Sequence, residues 1–206
     1  MNRFAIHALL SVPGVLLICG WQTDQLGVDP EKTVIWETGI WTFNLLITVL
    51  VLPVIARWAR WSTLLRYRRA VGLWVFAYAS AHLLSFLSFL LGWDITRLAK
   101  EVAERPYVLV GFSAWLILLT MALTSTRQWM RRLGRWWKRL HTMVYVVLGL
   151  AAVHYLLMIR SDWAWPAAYA VCAVVLLAIR FAVRRQVTVS YTHLRANETE
   201  AELVCS

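Results

Sequence analysis

The stretch WWKRLHTMVYVVLGLAAVHYLLM (residues 136–158) opens with bulky and basic residues and then turns almost wholly apolar, with His141 at its edge and His154 deep inside. The apolar run is long enough to cross a bilayer as one helix, which takes about 20 residues. An imidazole in such a helix is costly unless something bonds or ligates it. The two histidines therefore pose the functional question, and the apolar run decides the fold.

The rest of the chain repeats that pattern. Of 206 residues, 60% are hydrophobic and 13 are tryptophan, and the mean hydropathy is +0.60. A soluble domain of this size needs more polar surface than that. Six apolar blocks read as transmembrane helices at about 4–21, 39–58, 70–92, 107–126, 140–159 and 164–183. A cleaved signal peptide is the rival reading of the first block, but the run is too long and no small-residue cleavage site follows Trp21. The expected fold is an all-α membrane protein of six spans. Residues 1–185 form one membrane domain with short connections and no visible internal repeat.

The net charge of +10 is distributed by loop. Arg57, Arg60, Arg66, Arg68 and Arg69 crowd one connection, Arg127, Arg131, Arg132, Arg135, Lys138 and Arg139 another, and Arg180, Arg184 and Arg185 follow the last block. The alternate connections are acidic (22–38) or balanced (93–106). That alternation is the positive-inside pattern, so both termini are expected in the cytoplasm and the charge reports topology rather than nucleic-acid binding. Trp93, Trp163 and Trp165 at one set of span ends, and Trp58, Trp61, Trp136 and Trp137 at the other, read as interfacial belts.

Few motifs compete for chemistry. No HExxH, CxxC, GxGxxG or P-loop occurs, and Cys19, Cys172 and Cys205 lack metal-ligand spacing and read as small hydrophobes. The apolar blocks hold no acidic residue, which argues against cation transport. Arg105-Pro106-Tyr107 reads as a helix start with proline in its first turn. Tyr78, Tyr145 and Tyr155 read as packing. The polar segment 186–206 reads either as a disordered tail or as translated vector sequence, so His193 and the Asn197 sequon within it carry no functional weight.

The histidines remain. With spans starting near Ala70 and Leu140 and running the same way, His82 and His154 lie at depths of roughly 18 and 21 Å, so they can face one another across a bundle. Facing neutral imidazoles are the axial ligand set of a b-type haem. His141 sits at the other end of its span. A partner one matched face away on the third span would stand where the chain has Arg68, which is open to three roles: an unusual ligand, a propionate contact or a topology charge. On an ideal helix His141 also points about 220° away from His154, so it needs an irregular backbone to share that face.

RRAVGLWVFAYASAHL (68–83), ERPYVLVGFSAWLILLTMALTST (104–126), LGRWWKRLHTMVYVVLGLAAVHYL (133–156) and GVDP (27–30) together resemble the MsrQ (YedZ) family of haem-binding membrane subunits over roughly residues 4–185. These are ferric-reductase-like partners of a periplasmic methionine sulfoxide reductase. The resemblance implies an inner-membrane electron carrier with no final catalytic site of its own. It would take electrons from the quinone pool or a cytoplasmic flavin reductase and pass them to a periplasmic molybdopterin-containing catalytic subunit (MsrP-like) that repairs oxidised proteins. It implies haem b as cofactor, with FMN also attributed to the family. By position, His82, His141 and His154 match the family's haem histidines, and Arg68 matches the arginine of its RR-x-x-G-L-W motif. A stand-alone ferric reductase and a non-redox transporter or assembly protein are the alternatives.

Overall fold

The computed structural model describes residues 3–158 and 162–182. Among these it is all helical, with no strand. Helix α1 spans Arg3–Gln22, α2 Pro30–Trp58, α3 Arg68–Ser85, α4 Ile95–Glu104, α5 Pro106–Leu123, α6 Arg127–Leu133, α7 Arg135–His141 and α8 Val144–Met158. A ninth helix, α9, covers Ala164–Ala182. Six helical segments are long and apolar enough to cross a membrane, as the hydropathy predicts. The segment after residue 185 and the boundary drawn there lie outside the described residues.

Boundaries differ from the hydropathy reading in instructive ways. Helix α2 begins at Pro30 rather than at residue 39 and carries Glu31 and Glu37 in its first turns. At 29 residues it is about 43 Å long, well beyond a hydrocarbon core of about 30 Å, so its first turns need not be apolar. The apolar block 39–58 itself holds no acidic residue, and Glu31 and Glu37 precede it on the same helix. The third span is introduced by a 3₁₀ segment, Ser62–Tyr67, and closes with a π-helical turn, Phe86–Leu90. The 93–106 connection contains α4, whose start is capped by Asp94: its carboxylate accepts from the Thr96 and Arg97 amides at 2.9 and 3.2 Å. The Thr96 hydroxyl and then Arg97 hold the Asp94 carboxyl below its usual range. The basic 127–139 connection folds into α6 and α7, which turn at Gly134 (φ 49°). Helix α5 starts at Pro106 as the Arg-Pro-Tyr signal predicts.

The core lies where α2, α3, α5 and α8 meet. Leu46, Val75, Val147 and Leu148 are the most completely covered hydrophobics there. Trp115 Nε1–H donates to Ser80 Oγ at 3.1 Å, tying α5 to α3. Helix α9 is attached through Tyr169, whose hydroxyl donates to Asn44 Oδ1 at 2.7 Å and whose ring packs on Phe43 and Tyr155.

Helix α1 is held by α3 at its proline. Pro13 lacks an N–H and interrupts the helical ladder. The Tyr78 hydroxyl enters that gap, donating to the Leu10 carbonyl at 3.0 Å and accepting from the Gly14 amide at 2.8 Å. One turn away, Trp74 Nε1–H donates to His7 Nδ1 at 3.0 Å, which satisfies the one histidine of α1. Tyr78 is therefore a helix clamp as well as a packed ring. Tyr78→Phe removes both bonds from part-buried backbone groups and is expected to cost about 1–2 kcal/mol. A lower thermal unfolding midpoint in detergent, with earlier proteolysis in α1, is the expected readout.

Candidate functional site: two facing imidazoles

Sequence spacing places His82 on α3 and His154 on α8, and the packing of α2, α3, α5 and α8 brings the two rings together. Their centroids are 6.1 Å apart and their planes nearly perpendicular, at 85°. Each ring is fixed by the same device. His82 Nδ1 lies 2.8 Å from the Ile35 carbonyl of α2, and His154 Nδ1 lies 2.7 Å from the Tyr107 carbonyl of α5. A carbonyl can only accept, so Nδ1 carries the proton in both rings and Nε2 is the basic nitrogen of each.

A glycine opens the way to each carbonyl. A side-chain carbon at Gly39 would stand 3.1 Å from the His82 ring, and one at Gly111 would stand 2.7 Å from His154 Nδ1. Ile35, Gly39 and His82 thus have counterparts in Tyr107, Gly111 and His154, each histidine following its carbonyl by 47 residues. The correspondence extends into the core, where Leu46 matches Leu118 and Val75 matches Val147. No internal repeat is visible in the sequence because side-chain identity is hardly preserved between the halves. The repeat is one of geometry: two helix pairs, α2–α3 and α5–α8, each present one imidazole.

His141 belongs to the other end of α5. It ends α7, and the backbone breaks at Thr142–Met143 before α8 begins. The backbone between His141 and His154 is thus not one ideal helix, so the roughly 220° expected from 13 ideal residues does not apply unchanged. His141 stacks on Trp137 with centroids 4.1 Å apart, and its Nε2 lies 3.5 Å from Thr124 Oγ1, just past the end of α5. His154, by contrast, bonds the first turn of α5. Arg68 is exposed and lies within electrostatic reach of His141. The ring stacked on His141 is an indole and not a second imidazole.

The arrangement suits one kind of metal group. Among the described residues no three His, Cys, Asp or Glu side chains converge to hold a metal ion. A haem does not need them, because the porphyrin occupies the equatorial positions and asks the protein for axial ligands only. Two imidazoles on opposite sides of one metal, at about 2.0–2.1 Å each, have ring centroids roughly 6 Å apart, and the His82 and His154 centroids are 6.1 Å apart. Nδ1 hydrogen bonds that orient the rings and raise the basicity of Nε2 are what a ligating histidine requires.

Comparison with known proteins agrees with this architecture. Residues 38–153 match the family described as ferric reductase like transmembrane component. Over 186 residues the chain is 40% identical to the protein-methionine-sulfoxide reductase heme-binding subunit MsrQ of Xanthomonas campestris pv. campestris (strain B100), covering 86% of this chain and 84% of that one. The MsrQ of Yersinia pseudotuberculosis serotype O:1b (strain IP 31758) is 39% identical over 180 residues, 87% of this chain and 89% of its own. No solved structure matches significantly. With six membrane-length helices and relatives of this closeness along most of its length, the chain is a multi-pass membrane protein that belongs to the MsrQ family of ferric-reductase-like transmembrane proteins.

Proposed function

We propose that this protein is a haem b-binding electron-transfer subunit of a methionine sulfoxide reductase system, with His82 and His154 as the axial ligands. The observation that carries the reading is the facing pair: rings 6.1 Å apart, each with Nδ1–H committed to a helix carbonyl. A haem bound there supplies a one-electron iron couple inside the membrane. The protein's part is to hold both imidazoles neutral, aimed and shielded, so that little has to move when an electron arrives or leaves.

The family relatives carry the words methionine-sulfoxide reductase in their names, and on that likeness the electron acceptor is a periplasmic molybdopterin-containing reductase, MsrP-like, that repairs oxidised proteins. The donor is the quinone pool or a cytoplasmic flavin reductase. FMN comes with the resemblance alone, and no side chain of this chain is assigned to it. The membrane is the bacterial inner membrane. Following the positive-inside pattern, the basic connections around Arg68 and Arg131 face the cytoplasm, as do both termini. The facing pair then lies toward the periplasm, on the side of the acceptor.

His141 and Arg68 form a second cofactor position at the cytoplasmic end. A guanidinium is a donor with no acceptor lone pair to offer a metal, so Arg68 is assigned to a haem propionate and His141 to iron.

Purified protein is expected to be red, with a reduced-minus-oxidised haem b spectrum. A colourless preparation that takes up no added haem overturns the reading in favour of a non-redox membrane protein. Reporter fusions test the topology: a periplasm-dependent reporter should be active after residue 98 and inactive after residue 134. Loss of methionine sulfoxide repair, without loss of ferric reduction, in cells lacking the gene separates this role from that of a ferric reductase.

A further inference from the structure

We infer that Gly39 and Gly111 are positioning residues that set the orientation of the two imidazoles, an inference that rests on the haem reading above. Both glycines lie inside long helices, where glycine is disfavoured relative to alanine, and neither is at a turn or has a positive φ. Each stands one turn after the carbonyl that its histidine bonds, Ile35 before Gly39 and Tyr107 before Gly111. A helical carbonyl already accepts from the amide four residues on, and its second lone pair is open to another donor only from the side. A side-chain carbon at the fourth residue would occupy that side. The clearances show this directly: 2.7 and 2.8 Å to Nδ1 and Cε1 of His154 at Gly111, and 3.1 Å to the same two atoms of His82 at Gly39.

The two sites are graded. At Gly111 the contact is closer than real carbon atoms come, so the His154 ring or the helix must move. At Gly39 the ring must yield only a few tenths of an ångström. The same glycine-for-alanine exchange at Gly149, on the helix that carries His154, meets nothing within 4 Å. Gly149→Ala is therefore the control for a change in helix propensity alone.

The test uses the full chain purified in detergent with its haem. The readouts are low-spin electron paramagnetic resonance, midpoint potential and haem retention against a competing apoprotein. Near-perpendicular axial rings give a strongly anisotropic low-spin signal, because they leave the iron's two π-type orbitals nearly degenerate. Gly111→Ala should reduce that anisotropy, raise the midpoint potential as the Nδ1 bond to Tyr107 is lost, and weaken haem retention about tenfold. Gly39→Ala should shift the same readouts in the same direction, less strongly, and keeps the test decisive if Gly111→Ala does not accumulate. Gly149→Ala should leave all three unchanged. A wild-type haem signal that requires both His82 and His154, yet stays as unmoved by Gly111→Ala and Gly39→Ala as by Gly149→Ala, overturns this inference alone. A haem signal indifferent to His82→Ala and His154→Ala overturns the haem reading and this inference with it.

Discussion

Replacing His154 with alanine is expected to abolish the low-spin haem b signal of the facing pair, and His82→Ala is expected to do the same. On the proposed reading each ring would supply one iron ligand from its own helix pair. Among the described residues the rings within contact of His154 are those of His82 and Tyr107, so no further imidazole there stands ready to replace either. Removing one ligand also leaves a carbonyl, Tyr107 or Ile35, without its histidine donor, and opens a void against Gly111 or Gly39. Outer-sphere losses alone typically weaken a metal site by about 10–100-fold, so losing a ligand together with its anchoring bond should leave no stable cofactor there. Optical difference spectra at known protein concentration read this directly. Retention of a wild-type low-spin spectrum by either variant would rule out the pair as the axial set.

The second large effect separates the two ends of the protein. His141→Ala is expected to lower haem per polypeptide by about half while leaving the spectrum of the His82–His154 pair intact. His141 belongs to α7, ahead of the break at Thr142–Met143, and rests on Trp137 and Thr124. His154 bonds the opposite end of α5, so the hydrogen bonds that hold the two histidines are separate. Arg68→Gln should retain the second haem but shift its potential downward, because a positive charge beside a propionate is lost. Haem quantification and redox titration check both variants. Equal loss of all haem from the His82, His141 and His154 variants would refute the division into two positions.

Much of the fold was legible because hydropathy and charge are local properties that add along the chain. Six spans, the helix start at Pro106 and the alternating basic connections need no knowledge of neighbours. The start of α2 was not legible in that way. Glu31 and Glu37 interrupt the apolar signal, yet the helical ladder continues through them, since a backbone outside the hydrocarbon can be helical with any side chain. Helices α4, α6 and α7 were hidden for a similar reason, being short and polar or basic. Tyr78 looked like ordinary packing, because nothing near it in the chain announces that Pro13 has left an opening for its hydroxyl.

At the site, the sequence by itself determined that His82 and His154 lie at matched depth, since rise per residue is constant along a helix. It also determined that His141 and Arg68 belong at the basic end. Only the tertiary structure decided that the two rings face each other at 6.1 Å, because that depends on how each helix is rotated about its axis by packing against three others. The same packing decided which nitrogen is committed and exposed the roles of Gly39 and Gly111, whose meaning is a clearance to a ring 43 positions away in the chain. A constant offset between the two carbonyl–glycine–histidine sets was present in the sequence throughout. It carries no signal there, because what is repeated is the space around a backbone carbonyl and hardly any of the side chains.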